Sequence, residues 1–343
     1  MSNKKYLLNN NNFYIKYSKY KNKYHKLQQE IFYLNIGNDY NKNQLSQIKV
    51  LNISSNRNIN ENVFINLNNL EDLNICSCIQ LSDNIFYYIQ NLYTLNINFC
   101  NQFSDKVFIY LKRVKILSIA GCNGLTDNCL INLNNIKSLN MSWCDKFTGS
   151  SFYNLKYLNK LILNNCKNIT DDSFKNLKNI KILNISNCYQ LSDSIFIHLE
   201  NIQELYMRSC NQKMITDNAF INLKKIKILD ISFCQQLTDK SVFNLTTLLK
   251  LNISSCRLIS EKAFINLKNI QDLNISFCDQ EIITDNIFNY IKDIIKLDMH
   301  GCIQLSGDYF KDLTKLRYLN IKYCDYIIEN LKLNDDQLKL IIK

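Results

Sequence analysis

Apolar residues recur along this chain with a fixed phase. The pattern I-K-x-L-N-I-S-x-C-x-x-L-[ST]-D-x-x-F-x-N-L-x-N starts at Ile48, Leu70, Leu92, Val114, Ile136, Leu158, Ile180, Ile202, Ile226, Leu248, Ile270, Ile294 and Leu316. These residues are position 1 of each unit. Ten of the twelve spacings are 22 residues and two are 24, so one architecture repeats along the chain. Positions 1, 4 and 6 are apolar, as in Ile180, Leu183 and Ile185, and the alternation at 4 and 6 predicts a strand buried on one face. Positions 12, 17 and 20, as in Leu191, Phe174 and Leu177, are predicted to face inward from the return side. Position 13 is Ser or Thr in eleven units and Asn60 in the first, which are good helix N-caps. The Asp that follows (Asp83, Asp105, Asp127, Asp171, Asp193) suits the positive end of a helix, and Lys at position 21 (Lys112, Lys178, Lys224, Lys268) suits the negative end. Each unit therefore reads as a short strand, a loop and about two turns of helix. One unit cannot bury its own apolar residues, but stacked neighbours can.

The motif L-x-x-L-x-L-x-x-[NC]-x-L resembles that of leucine-rich repeats. The resemblance implies an α/β solenoid, or horseshoe, with parallel strands on the concave face and short helices on the convex face. It divides the chain into a basic, Tyr/Lys/Asn-rich arm (1–30), a solenoid (31–328) and a C-terminal cap (329–343). The solenoid has about 13 units plus a shortened first one at Ile31-Phe32-Tyr33-Leu34-Asn35-Ile36. The Cys at position 9 followed by [ST]-D resembles the cysteine-containing subclass found in F-box substrate receptors of ubiquitin ligases. The units here are shorter than usual for that subclass, and the 47 residues before Ile48 show no F-box pattern.

Composition adds less. The chain has no proline and 6 glycines, while Asn, Lys, Ile and Tyr, which have AT-rich codons, abound. Arguments built on a single Asn or Lys are discounted for that reason. The net charge is +11, of which the arm, with seven lysines against Glu30, carries +6. The remainder reads as mildly basic rather than as a polycation built around nucleic acid. The arm interleaves Tyr6, Phe13, Tyr14, Tyr17, Tyr20 and Tyr24 with its lysines, a composition that can bind single-stranded nucleic acid. Its plainer reading is a leader that caps the first coil. The opening residues hold no apolar secretory core, and no run of about 18 apolar residues occurs. The expectation is an intracellular protein, cytoplasmic or nuclear, without a membrane partner.

Twelve cysteines occupy position 9: Cys78, Cys100, Cys122, Cys144, Cys166, Cys188, Cys210, Cys234, Cys256, Cys278, Cys302 and Cys324. Asn is usual at this site, where it bonds loop backbone of adjacent coils, and a thiol fills the niche as a weak donor. A row of one cysteine per coil does not converge on a point, so no zinc site is expected. Cys76 and Cys129 lie off the ladder, and Cys76 is a candidate exposed thiol. His300 and Cys302 resemble a dyad only in sequence, since Cys302 belongs to the inward ladder. Asp272 and Asp298 are candidates for paired carboxylates, but the row Lys250, Asp272, Lys296 reads as alternating salt bridges. No phosphate-binding or dinucleotide fingerprint occurs. The expectation is no enzyme, no metal and no cofactor.

What remains is a binding scaffold for a protein partner on the concave face. The ligase receptor and nucleic-acid binding through the arm are the alternatives; nucleic acid is the less expected partner, and no small-molecule substrate is expected. Positions 2, 3, 5, 7 and 8 are predicted to point outward. Position 5 is a monotonous Asn/Asp row broken by Ser118, Ile162 and Tyr206. Position 8 is aromatic at Phe99, Trp143, Phe233, Phe277 and Tyr323. Trp143, Ile162, Tyr206, Arg208, Phe233 and Phe277 are the candidate contacts. The two long units add the rim loops Asn211-Gln212-Lys213-Met214 and Asp279-Gln280-Glu281-Ile282, with Lys213, Met214, Gln280 and Glu281 as further candidates.

Overall fold

The computed structural model describes residues 45–308 and 310–330. The arm, the shortened first unit and residues 331–343 of the expected cap lie outside them. Thirteen three-residue strands, β1 (Val50–Asn52) to β13 (Tyr318–Asn320), form one open parallel sheet in chain order. The register never slips: position 4 pairs with position 4, as Leu183 does with Leu205. Each unit thus contributes one strand to a stack with a spacing of about 4.8 Å. The residues at positions 1, 4, 6, 9, 12, 17 and 20 fill a continuous core between the strands and the return legs.

The return legs are tighter than expected. Single turns of three to six residues replace the two helical turns, and most are 3-10, such as Asp193–His198 and Asp217–Phe220. Among the described elements that follow the strands, α1 (Ile85–Tyr88), α2 (Ile287–Tyr290) and α3 (Asp325–Asn330) are α-helical. In units such as the sixth the turn ends at the inward Phe174, and Leu177 reaches the core from the residues that follow it. The caps form in most units, as where Ser192 accepts from the Ser194 amide at 3.2 Å and Thr216 from Asn218 at 3.2 Å, whereas the side chains of Ser104 and Thr170 make no cap bond.

Side-chain ladders tie each coil to the next. Every ladder thiol is fully buried and donates to the position-6 carbonyl of the preceding coil, as Cys188 does to Leu163 O at 3.0 Å and Cys122 to Ile97 O at 2.9 Å. Position-11 glutamines donate to carbonyls of the preceding coil, five of them to two: Gln190 Nε2 lies 2.8 Å from both Cys166 O and Ile169 O. Position-22 asparagines do the same on the far rim, as Asn179 does to Lys156 O at 2.9 Å.

The acid at position 14 has a different role from the one expected. It reaches the next coil and accepts from the amide of the position-13 Ser or Thr and, in all but Glu261, from the hydroxyl as well. Asp193 holds Thr216 at 2.8 and 2.5 Å, and Asp217 holds Thr238 at 2.9 and 2.5 Å. The one gap among the described pairs lies between the fifth and sixth units, where position 14 is Gly149. There Thr170 N finds only Thr148 O, at 3.4 Å. The sixth unit also has Ile162 at position 5, and the buried Asn164 Oδ1 beside it has no partner.

Asp171 clamps with three bonds, accepting from Ser192 N at 3.0 Å, Ser192 Oγ at 2.5 Å and Ser194 Oγ at 2.8 Å. Asp171→Ala strands a part-buried amide and is expected to cost about 2 kcal/mol. Urea unfolding checks this, and a change below about 0.5 kcal/mol would show the clamp to be ornamental.

Candidate functional site

The strand face is less open than the position-5 row suggested. In ten units the Asn or Asp at position 5 turns back and accepts from the position-7 amide, as Asn184 does from Ser186 at 2.9 Å and Asp230 from Ser232 at 3.0 Å. These residues close a local turn at the strand end. They are structural, and the three breaks, Ser118, Ile162 and Tyr206, mark where that turn is given up. Asp272 lies 3.8 Å from both Lys250 and Lys296, as the alternating row predicted. Asp298 instead accepts from Ser276 Oγ at 2.8 Å.

Position 8 is the unusual one. In all thirteen units it adopts a left-handed backbone, with φ between +56° at Phe277 and +72° at Gly301. Gly, Asn and Ser accept this conformation readily, whereas bulky residues do so at a cost of order 1 kcal/mol or more. Phe99, Trp143, Phe233, Phe277 and Tyr323 nevertheless occupy it. Trp143 is 48% exposed, Phe277 52% and Tyr323 59%. The Phe99 ring lies along the rim over Gly121 of the next coil, where a Cβ would stand 2.5 Å from its Cδ1. Phe277 covers Gly301 in the same way.

These contacts divide the predicted patch into three clusters. Trp143 faces back toward Phe99, with centroids 6.3 Å apart. Arg208 places its guanidinium 4.6 Å from the Phe233 ring centre, and Tyr206 in the neighbouring row donates to Glu204 at 3.2 Å. Burial first, and the Glu204 charge second, push the Tyr206 phenol above its ordinary range. The third cluster stacks His300 between Phe277 at 4.7 Å and Tyr323 at 5.0 Å. Ile162 shares the sheet face with Tyr206, two strands away. His300 belongs to an aromatic stack and Cys302 to the inward ladder, where it donates to Ile275 O at 3.0 Å; the two do not form a dyad.

The rim loops need one correction. Gln212 and Gln280 are the ladder glutamines of their units, and Gln280 donates to Cys256 O and Ile259 O at 3.0 Å each. The added residues are Lys213-Met214 and Glu281-Ile282, all exposed. Their second carbonyls, Met214 O and Ile282 O, accept from Asp193 N and Glu261 N of the preceding coil.

Sequence reasoning missed a row on the helix side. Position 18 is apolar and exposed at Ile65, Tyr87, Ile109, Ile131 and Tyr153, and again at Ile197, Ile221, Phe243 and Ile265 after Lys175. The signal was available as a second apolar column beside the inward Phe. Tyr87, Tyr88 and Tyr110 line a cleft of about 500 Å³ there. Cys76 is half-buried with Sγ 3.6 Å from Ser77 Oγ, and Cys129 is buried. Among the described residues, no group of three or more His, Cys, Asp or Glu is placed to hold a metal ion, and no helix is long and apolar enough to cross a membrane.

Solved structures with this architecture include TLR13, determined as a complex with ssRNA13, at a TM-score of 0.61 and 20% identity over 83% of this chain and 44% of its own. This chain therefore spans less than half of that protein. An internalin (inlF) of Listeria monocytogenes gives 0.57 at 17% identity, over 85% of this chain and 94% of its own. Rad7, from the Rad7–Elc1 complex in yeast, gives 0.54 at 18% identity, over 100% and 95%. At these identities the likeness is one of fold. No curated protein sequence matches the chain. The family model described as BspA type leucine rich repeat region matches residues 35–159, 145–271 and 213–337, in six copies, and indicates no catalytic family. With its thirteen in-register coils and that match over most of its length, this chain belongs to the BspA-type leucine-rich repeat family.

Proposed function

We propose that the chain is a protein-interaction scaffold that grips a partner protein along its strand face and the adjoining aromatic rim, through Trp143, Ile162, Tyr206, Arg208, Phe233 and Phe277. The observation that carries this reading is the set of half-exposed aromatic rings held at left-handed backbone positions. A residue kept in a costly conformation while exposed contributes little to the core, which points to use at the surface. Arg208 is already ordered over Phe233 and Tyr206 against Glu204, so these anchors lose little freedom on binding. The span from Trp143 to Phe233 is four coil steps, roughly 20 Å, and fits an interface of about 800 Å² per partner.

The ligase-receptor reading has no observation in its favour. It would need an adaptor-binding element, and the 47 residues before Ile48 show no F-box pattern.

The test is purification of the chain with its partners, identification by mass spectrometry, and titration of wild type and Tyr206→Ala/Arg208→Ala against the recovered protein. The double variant is expected to lose about 2 kcal/mol of binding and to keep its thermal stability. Equal affinities would move the site to the loops at Lys213-Met214 and Glu281-Ile282, or to the arm.

A further inference from the structure

The charges of the units are sorted by position. Positions 21 and 22 of one unit and position 2 of the next meet at the rim where the return leg enters the strand. Within residues 45–330 these three positions hold fifteen of the thirty lysines and arginines but three of the twenty-six acids. The rim therefore carries +12 and every other surface of the described units together −8. Codon bias supplies lysines but would scatter them over all exposed positions.

The charge is densest from the end of the third unit to the start of the ninth, where the rim has ten cations against Glu200. Backbone bonds hold these residues in rows: Lys137 N donates to Lys115 O at 2.8 Å, and Asn201 Nδ2 to Lys178 O at 3.1 Å. The recorded partners here are neutral. Arg113 donates to Asn91 at 2.9 Å and Lys225 to Asn201 at 2.6 Å. Among the described residues the rim's ion pairs are Lys49–Glu71 and Lys315–Asp293, both outside this stretch. Like charges stacked on adjacent strands repel, so the arrangement weakens the free protein. Two exposed rings border the lysines: Tyr93, with Lys115 Nζ 4.8 Å from its centroid, and Tyr157, 62% exposed next to Lys156.

We propose that this rim binds the phosphate backbone of a single-stranded nucleic acid laid along the stack. The cations stand at five of six successive coil junctions over roughly 24 Å, interrupted at Glu200 between the seventh and eighth units, as a row that an extended strand can follow. Exposed tyrosines offer faces for base stacking, and the asparagines at positions 22 and 2 offer neutral donors. The stretch holds no aliphatic side chain at these positions to enter a lipid surface. This reading is independent of the strand-face scaffold. It also relocates the nucleic-acid alternative from the arm to the body of the solenoid, where the mild net charge conceals a segregated one.

The test is fluorescence anisotropy of labelled oligouridylate with the full chain across a salt series. Engaging on the order of four phosphates gives a log–log salt slope near −3 and a loss of roughly fifty-fold between 50 and 200 mM salt. Replacing Lys112, Arg113, Lys115, Lys224, Lys225 and Lys227 with Gln is expected to weaken binding at least about ten-fold and flatten the slope. Replacing the seven arm lysines with Gln removes more charge and is expected to change affinity less than about two-fold. Thermal melts verify folding, and Lys224→Gln/Lys225→Gln, with a smaller loss in the same direction, serves if the six-site variant melts early. The proposal is overturned if the rim variant binds like wild type or if only the arm variant loses binding. Equal displacement by polyglutamate would point to an acidic protein, and binding to phosphatidylserine vesicles without oligouridylate binding to a membrane; either would overturn it.

Discussion

Raising the pH is expected to unfold the solenoid cooperatively near pH 10, with release of on the order of ten protons. Burial pushes the thiols up, to about 11 at Cys144 and Cys210 and to about 12 at Cys122, Cys188 and Cys256. Desolvation of the thiolate is the larger cause in each case, and backbone hydrogen bonds oppose it only in part. The folded values lie above the unfolded value of 9.0, so the stabilisation is complete below pH 9 and disappears as pH rises through the folded values. At pH 10 each thiol favours the unfolded chain by about 1.4 kcal/mol, and about ten of them offset most of a typical domain's 5–15 kcal/mol. Circular dichroism against pH measures the transition. Cys122→Ala/Cys188→Ala/Cys256→Ala should be less stable at pH 7 but lose stability less steeply above pH 9. A fold intact at pH 11 would refute the account.

Gly149→Asp restores the repeat consensus at position 14 and would ordinarily be chosen as a stabilising change. It is expected instead to destabilise by about 3 kcal/mol. Gly149 has φ +81°, and a Cβ built there lies 2.3 Å from Ser173 Oγ and 2.6 Å from Ser173 Cβ. The hydroxyl donates to Thr148 O at 2.8 Å and can rotate away only by giving up that bond, and the Ser173 Cβ is fixed by its backbone. An aspartate in this backbone conformation also points away from the geometry that its equivalents use to hold the next coil. Urea unfolding measures the effect, and a more stable variant would show that the backbone relaxes to the form seen at Asp127 or Asp171.

The fold was legible because its main determinants act at short range and repeat. Leu183 and Ile185 bury one strand face, Phe174 and Leu177 seal the return leg, and each occurs with equivalents in successive units. The longer-range contacts were not legible. Asp193 gripping Thr216, or Gln190 reaching Cys166 O, links residues more than twenty apart, and a single unit shows only an acid after a cap or a glutamine before a leucine. Discounting asparagine as coding bias hid its two repeated uses, at Asn184 and Asn179. The helix length failed because a capping signal such as Ser192 marks where a turn begins and not its pitch. At the candidate site, Tyr206 and Arg208 stood out as breaks in a row, whereas the pairing of Phe99 with Trp143 across Gly121 required the coil-to-coil geometry.

The missing clamp between the fifth and sixth units has a mechanical meaning. A stack in which each coil touches only its neighbours behaves as a linear array, and its cooperativity is limited by its weakest coupling. Here the carboxylate bridge is absent and Thr148 O stands in for it, accepting from Thr170 N at 3.4 Å and from Ser173 Oγ at 2.8 Å. Heat or pulling force is therefore expected to meet two blocks joined by a softer hinge, with hydrogen exchange accelerating at Thr170 before it does within either block. Trp143 lies on one side of that hinge, with Ile162 and Tyr206 on the other. A partner bound across all three would act as a splint, and its grip would register as the merging of two unfolding transitions into one.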